Sequence, residues 1–304
     1  MFVVGESYGT TRAAALVEHL AAEHGIGVRG VGLISSILLF QTVYPALGND
    51  LPHVLTLPTQ AATAWHHGLC DPSFGSLDAV IDAAVELATG DYATFLLREH
   101  LATDADRHDL AGRLTRLIGV PTEALLRNRL RLGSGRFRKE LRRGDGIVGH
   151  FDARVIGHDE DAGEDAAGDD PSYWLVRAPY SASYLSYLRS ELAVASDRNY
   201  VVLQAELGRD WKWGGEGELP KYPETASRLR RAMLRDPGLR VFLASGVYDF
   251  ATPFYAAEWT LEHLGLPADR RKNITTARYR AGHMMYTDET QLAALAADLE
   301  AFLT

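Results

Sequence analysis

Phe2-Val3-Val4-Gly5-Glu6-Ser7-Tyr8-Gly9-Thr10 follows directly after Met1. The apolar first half of this stretch favours a β-strand, and a helical pattern follows its last residue. A serine in the pattern Gly5-x-Ser7-x-Gly9, at a strand-to-helix turn, is typical of a nucleophilic serine raised above the end of a sheet. We expect both glycines to prevent a collision where strand and helix pack closely. An ordinary strand-to-helix turn is the alternative, since the five-residue pattern alone is not specific.

The residues around this stretch predict an α/β fold with a parallel sheet. Residues 10–24 carry apolar side chains three and four positions apart, which predicts a helix ending before Gly25. Residues 31–40 are almost continuously apolar, as in a strand buried on both faces of a parallel sheet. The same texture returns late in the chain, with strands predicted at 241–249 and 274–280 and helices at 225–234 and 252–264. A last helix carries Leu292, Leu295, Leu299 and Phe302.

Composition excludes several classes of protein. The 304 residues are 46% hydrophobic and 23% charged, which are globular values, and the net charge of -9 gives no general attraction to nucleic acid or anionic membranes. The single cysteine, Cys70, rules out an intrachain disulfide and is best interpreted as a small buried apolar residue. No run approaches the ~18 apolar residues of a membrane helix, so we expect no membrane partner. No signal peptide is recognisable either.

The middle of the chain has a different texture. From residue 51 prolines interrupt the pattern, and helices are predicted at 76–89, 91–101, 104–118 and 122–132. No further strand-helix-strand alternation occurs before residue 222. We therefore expect a core made of residues 1–50 and 223–304, and an inserted, mainly helical segment, residues 51–222, which we call the cap segment.

The cap segment contains two charged stretches. Residues 110–132 faintly resemble a helix-turn-helix, and the basic run that accompanies them could meet phosphates. We prefer a solvated face on a helical hairpin because the net charge is acidic, and we expect no nucleic-acid partner. Residues 159–170 lack the glycine and final glutamate of a calcium loop, which favours a mobile acidic surface loop. The basic run comprises Arg127, Arg129, Arg131, Arg136, Arg138, Lys139, Arg142 and Arg143.

Aromatic residues of the cap segment admit two interpretations. Tyr180, Tyr184, Tyr187, Trp211 and Trp213 could line an apolar substrate cleft or could pack the cap segment on the core. The eleven histidines show no metal-ligand spacing, and no phosphate-binding or dinucleotide motif is present. We therefore expect neither a metal nor a cofactor.

Three residues stand where a catalytic triad requires them. A serine hydroxyl needs a neighbouring base, and the base needs an orienting acid. Ser7 follows the first predicted strand, Asp249 ends the third, and His283 follows the fourth. The chain order Ser, Asp, His, each at the carboxyl end of a strand, is that of the α/β-hydrolase fold. Separately, Asp249 could cap a helix and His283 could be a core histidine.

Three motifs together resemble those of the serine carboxypeptidase family, in its bacterial branch. They are Gly5-Glu6-Ser7-Tyr8-Gly9-Thr10, residues 246–253 (Gly-Val-Tyr-Asp-Phe-Ala-Thr-Pro) and Ala281-Gly282-His283-Met284. The glutamate directly before the serine is the most specific mark, and the similarity extends through the cap segment. The resemblance implies an α/β-hydrolase fold and release of C-terminal residues from peptides that carry a free carboxylate.

The resemblance also implies a role for each matched residue. Ser7 would be the acylated nucleophile, His283 the general base and then acid, and Asp249 the orienting carboxylate. The N–H of Tyr8 would supply half of the oxyanion hole. Glu6, protonated and sharing a proton with another carboxyl group, would hold the substrate carboxylate, and such an enzyme works best in acid. Met284 would lie beside the pocket for the leaving residue.

Segments that the family places before the nucleophile strand have no match in this sequence. They include a glycine-rich second oxyanion donor, an asparagine and the carboxyl partner of Glu6. We therefore expect an N-terminally truncated sheet with weakened activity. Residues 2–6 would then form an exposed apolar edge that promotes self-association. An esterase or acyltransferase using the same triad, or a catalytically inactive fragment, are the alternatives.

Overall fold

Four parallel strands form the central sheet of the computed structural model, which describes residues 1–195, 198, 200–204, 207, 211 and 222–304. These strands lie in the order β1-β2-β5-β6, and a two-stranded antiparallel ribbon, β3-β4, lies apart from them. The mixed α/β class with a parallel sheet is thus confirmed. The strands are β1 (Phe2–Glu6), β2 (Gly30–Ile34), β3 (Ile147–Val148), β4 (Ile156–Gly157), β5 (Arg240–Gly246) and β6 (Ile274–Tyr279).

Strand β1 lies at one edge of this sheet. Met1 O accepts from Arg29 N–H, and Ser7 N–H donates to Ile34 O, so the odd-numbered residues of β1 turn their backbone groups toward β2. Backbone direction alternates along a strand, so the N–H and C=O of Phe2, Val4 and Glu6 point away from β2. None of these outward groups bonds to another backbone group within the described ranges. The edge expected from the sequence is present there.

Helices cover both faces of the sheet. On one face, Ala13 and Val17 of the first helix pack with Leu33 of β2 and Leu243 of β5. On the other face, Phe302 of the last helix packs with Phe242 of β5, their ring centroids 5.6 Å apart. The two central strands, β2 and β5, are therefore buried on both faces, as their continuous apolar runs indicated.

The described helices account for most of the remaining regular structure. They are α1 (Tyr8–His24), α2 (Leu51–His66), α3 (Leu77–Leu87), α4 (Ala93–Arg98), α5 (Asp104–Ile118), α6 (Thr122–Arg127), α7 (Ser134–Glu140), α8 (Pro171–Ser190), α9 (Ala226–Arg235), α10 (Phe254–Glu262), α11 (Ala268–Arg271) and α12 (Glu289–Leu303). A π-helical turn (Ala88–Tyr92) joins α3 to α4. Helix α5 coincides with its predicted bounds, and a capping box between Thr103 and Asp106 fixes its start.

Helices α2 and α8 are absent from the sequence-based expectation. Each carries a proline in its first turn, where no N–H is needed, and another in its interior: Pro58 in α2 and Pro179 in α8. Helix α2 is buried from Val54 to Ala64, and that burial offsets the hydrogen bond lost at Pro58. Tertiary packing therefore stabilises helix α2, although its local sequence does not predict a helix.

Two predicted elements end well before their expected limits, residues 40 and 132. Strand β2 ends at Ile34 because Ser35 has a φ of 48°. Helix α6 ends at Arg127 because Arg129 and Leu130 have φ values of 51° and 60°. Positive φ values are incompatible with continuing a right-handed helix or a strand, which explains both stops.

The prediction of a solvated basic face is wrong for the centre of the basic run. Arg138 and Lys139 are only 5% and 4% exposed. Arg138 Nε donates to Val148 O (2.9 Å), and Lys139 Nζ donates to Asp159 Oδ2 (2.6 Å) and to Asp161 O. Lys139 thus fixes the start of the acidic stretch 159–170 against α7. The stretch is therefore not a free loop along its whole length.

The aromatic side chains of the cap segment have different positions. Tyr180, Tyr184 and Tyr187 lie on α8 and are 46%, 42% and 51% exposed, so they do not pack the cap segment on the core as buried residues. Trp213 lies outside the described residues, and Trp211 is described below. A search of the described helices finds none that is long and apolar enough to span a bilayer.

Candidate active site

The turn between β1 and α1 holds Ser7 in a strained conformation. Ser7 has φ 54° and ψ −125°, a combination that costs little only for glycine. Strand β1 ends at Glu6 and α1 begins at Tyr8, so a single residue makes the turn. Thr10 closes it, since its N–H (3.0 Å) and its Oγ1 (2.7 Å) both donate to Ser7 O. Strain of this kind is concentrated at functional sites, which makes Ser7 a candidate nucleophile.

Only one of the two flanking glycines is needed for space. A Cβ at Gly5 would lie 2.3 Å from Gly9 O, far inside the limit for real contacts. A Cβ at Gly9 would meet no atom within 4 Å among the described residues. The expected collision at Gly9 is therefore wrong. The backbone carbonyl of Gly9 points toward β1, so a side chain at residue 5 would collide with it. Gly5 is therefore the glycine that the close packing requires.

The structure brings Asp249 and His283 into contact. Asp249 follows β5 and His283 follows β6, and these neighbouring parallel strands carry both loops to one edge of the sheet. His283 Nδ1 lies 2.7 Å from Asp249 Oδ2. The carboxylate also accepts from Ala251 N–H (2.8 Å), from Thr252 N–H (3.0 Å) and from Thr252 Oγ1 (2.7 Å). These donors fix the carboxylate so that Oδ2 faces the ring.

His283 is buried and held from two sides. The backbone N–H of His283 donates to Phe151 O (2.6 Å), and its backbone carbonyl accepts from Ser35 Oγ (2.7 Å). Burial would lower the pKa of His283, but the charge of Asp249 and the hydrogen bond with it outweigh that effect and raise the pKa above the ordinary value of 6.5. The imidazole is thus stabilised in its protonated form, as a general base requires once it has taken a proton.

Ser7 and His283 share one site without contacting each other. The ring of His283 bonds to Asp249 and Thr252 among the described residues, and no bond joins it to Ser7. Ser7 and Thr252 nevertheless line the same cavity, of about 400 Å³, and Thr252 Oγ1 lies 3.3 Å from His283 Nδ1. Catalytic hydrogen bonds are often long without substrate and shorten in the complex. The carboxylate–imidazole pair is formed, and Ser7 lines the cavity beside it.

Glu6 bonds to a tyrosine. Tyr286 OH lies 3.0 Å from Glu6 Oε1 and 3.1 Å from Glu6 Oε2. Burial raises the pKa of Glu6, although the hydrogen bond from Tyr286 acts in the opposite direction. The expected proton sharing would require a second carboxyl group bonded to Glu6, and none of the described residues supplies one. Met284, half-buried, directly follows His283 and does not line the cavity that contains Ser7.

Tyr8 places its N–H at the amino end of α1, where the helix dipole is positive. A backbone donor directly after the nucleophile is where half of an oxyanion hole is expected. The Tyr8 side chain contacts Trp211, whose Nε1 donates to Tyr8 OH (3.1 Å) and whose ring centroid lies 5.4 Å away. Trp211 also lines the cavity of Ser7, together with Phe40 and Ile37. Of the aromatic candidates that the structure describes, Trp211 is the one that lines this cavity.

Three residues of the site escape sequence reasoning. Tyr286 reaches Glu6 across 280 positions, and Thr252 acts through the carboxylate that it orients. His150, from the cap segment, lines the cavity, and burial lowers its pKa to about 4. The threonine lies three residues after Asp249, a spacing that signals a local hydrogen bond. Nothing in the neighbourhood of His150 or Tyr286 distinguishes them in the sequence.

Other reactive groups lie apart from this site. Cys70 is buried, and burial raises the pKa of its thiol, which makes it a poor nucleophile. Within the described ranges, no cluster of histidine, cysteine and acidic side chains has the arrangement of a metal site. No model of a known protein family matches the chain, and a comparison with curated proteins finds no match.

Proposed function

We propose that the chain has an α/β-hydrolase fold and acts as a serine hydrolase that releases C-terminal residues from peptides. The observation that carries this proposal is the convergence of two features at one edge of a parallel sheet. One is the strained Ser7 after β1, and the other is the buried Asp249–His283 pair after β5 and β6. This arrangement of turn, acid and base supports nucleophilic acyl transfer.

The chemistry follows from the positions of the three groups. Ser7 Oγ attacks the carbonyl carbon while its proton passes to His283 Nε2, which must approach the hydroxyl when substrate binds. Asp249 accepts the hydrogen bond of His283 Nδ1 and stabilises the imidazolium. The carbon–nitrogen bond then breaks, and His283 returns the proton to the leaving amine. Water repeats the sequence on the acyl-enzyme and frees Ser7. The Tyr8 N–H faces the developing oxyanion.

Glu6 and Tyr286 support a preference for a free carboxyl terminus. Burial raises the pKa of Glu6, so the side chain is more readily protonated than an ordinary glutamate. A protonated carboxyl group and a phenol are both hydrogen-bond donors, and each can bond to a substrate carboxylate. The resemblance noted in the sequence assigns the same task to Glu6.

A labelling experiment tests the nucleophile. We expect a serine-directed fluorophosphonate to label the wild-type protein at Ser7 and to leave Ser7→Ala unlabelled. Ser186→Ala, on α8, removes an exposed serine that lies outside the strained turn and does not line the cavity of Ser7, so it should be labelled like the wild type. Labelling that persists in Ser7→Ala, or an unlabelled wild-type protein, would contradict the proposal.

A substrate comparison then tests the reaction. We expect cleavage of a blocked dipeptide with a free C-terminal carboxylate, and little cleavage of the same dipeptide as its C-terminal amide. A second candidate, an esterase, is favoured by the apolar side chains of Ile37, Phe40 and Trp211 in the cavity of Ser7. Equal activity on esters with blocked and free carboxyl ends would support the esterase and exclude the carboxypeptidase.

A further inference from the structure

A second, larger cavity adjoins the cavity that contains Ser7. Its volume is about 960 Å³, and it lies between the cap segment and the loop after β5. Tyr44, His150 and Ala251 line both cavities, so the two spaces meet at these side chains. A ligand whose reacting carbonyl lies at Ser7 can therefore extend past Tyr44 and His150 into the larger cavity.

The charged groups around this larger cavity are basic. Arg131 and Arg136 line it, and no aspartate or glutamate does among the described residues. Arg131 is already paired, since it makes two bonds to Asp50 (2.6 and 2.8 Å) and one to Glu99 (2.6 Å). Arg136 has an exposed side chain and bonds to the neutral amide oxygen of Asn128. Arg136 is thus the cation of this cavity that faces a neutral partner.

The nearby acidic stretch does not neutralise Arg136 through the bonds found in the described structure. Ala166 of that stretch lines the cavity, but no hydrogen bond or ion pair found among the described residues joins Arg136 to a carboxylate of the stretch. Asp159 pairs with Lys139, and Asp169 accepts from Trp174 Nε1 (2.7 Å). Asp165 lies 4.0 Å from Arg143, and Asp170 accepts from His150 N–H (2.8 Å).

We propose that the larger cavity binds the acyl side of the peptide substrate, and that Arg136 selects an acidic residue there. The inference rests on the proposed function, and it adds a substrate class and a specificity-determining residue. The acidic residue lies upstream of the one at the scissile bond, because the chain must first pass Tyr44 and His150 to reach the larger cavity. A guanidinium group bonds a carboxylate through two parallel N–H groups, which a neutral amide cannot match.

Binding to an inactive variant tests this directly. In the Ser7→Ala background, calorimetry would measure the affinity of acetylated hexapeptides with a free carboxyl terminus. Each upstream alanine is replaced in turn by glutamate or by glutamine. At one upstream position we expect glutamate to bind about 3-fold to 10-fold more tightly than glutamine, the range of charge-assisted pairs near a surface. In Ser7→Ala/Arg136→Gln that ratio should fall to about 1.

A matched variant controls for loss of positive charge. Arg230 lies exposed on α9 and lines neither cavity, so Ser7→Ala/Arg230→Gln should keep the glutamate preference. Peptides that bind with no glutamate preference, or with one that Arg136→Gln leaves intact, would overturn the inference and leave the proposed function standing. If no hexapeptide binds, and the amide and free-acid forms are equally inert, the proposed function fails and the inference fails with it.

Discussion

Replacing Ser7 by glycine should stabilise the fold relative to replacing it by alanine. The backbone of Ser7, at φ 54° and ψ −125°, suits glycine and strains any residue with a Cβ. Such strain costs about 1–3 kcal/mol. Glycine loses about 0.5–1 kcal/mol more backbone entropy on folding than alanine does. The difference leaves Ser7→Gly more stable than Ser7→Ala by up to about 2.5 kcal/mol.

Both variants lack the Ser7 hydroxyl, so the difference between their free energies of unfolding depends on the backbone conformation alone. Urea unfolding would measure it, with equal m values required in both variants. The corresponding shift in melting temperature is at most roughly 4 °C for a chain of this size. Ser186, exposed in the interior of α8, is the control: there Ser186→Gly should be less stable than Ser186→Ala. If Ser7→Gly is also the less stable of its pair, the strained turn is refuted.

Three further predictions follow from the geometry. Asp249→Asn removes the charge that raises the pKa of the His283 imidazole, so the acid limb of the pH profile of kcat/KM should move to lower pH. The value of kcat should fall about 10³–10⁴-fold. An unmoved acid limb would contradict the assignment of His283 as the base. Val4→Pro deletes an N–H that points away from β2, so it should suppress self-association, measured by light scattering, without loss of stability. Val3→Pro removes a hydrogen bond between β1 and β2 and should destabilise the fold. Equal effects of the two substitutions would refute the position of β1 at the sheet edge. Asp159→Asn leaves the buried charge of Lys139 without its carboxylate partner. The free energy of unfolding, measured in urea, should fall by about 3–5 kcal/mol. A change near zero would refute the buried ion pair.

The last of these predictions has a pH counterpart. Burial would raise the pKa of Asp159, but the bond from Lys139 outweighs it and lowers the pKa below 3.8. The carboxylate therefore contributes stability above that value, and the contribution is lost as the pH falls through the lowered pKa. We expect the wild-type protein to lose stability in this acid range and Asp159→Asn to show a shallower dependence.

Local patterns were sufficient for the elements that carry the site. The apolar runs that became β2 and β5 are buried on both faces, and such strands can be recognised from composition alone. The strained turn at Ser7 was expected from Gly5 because a close approach of strand and helix leaves no room for a Cβ. These features depend on neighbours within a few positions.

Features that depend on distant partners could not be predicted. Tyr286 bonds to Glu6 only because the sheet brings both chain ends together, and no local pattern marks it. Lys139 resembles any surface lysine in the sequence, yet its carboxylate partner lies 20 positions away in an acidic stretch. Helix α2 contains an interior proline, which local propensity penalises and tertiary burial overrides. A single sequence records preferences of segments, whereas these contacts arise from their assembly.

The two bonds that hold the backbone of His283 have an evolutionary implication. One bond comes from Phe151 in the cap segment and the other from Ser35 beside the sheet. Exchanging or shortening the cap segment, by recombination or in the laboratory, would therefore disturb the imidazole as well as the walls of the cleft. Diversification of substrate range in such a protein should proceed by point changes around the cleft, since wholesale module exchange would have to rebuild the base at the same time.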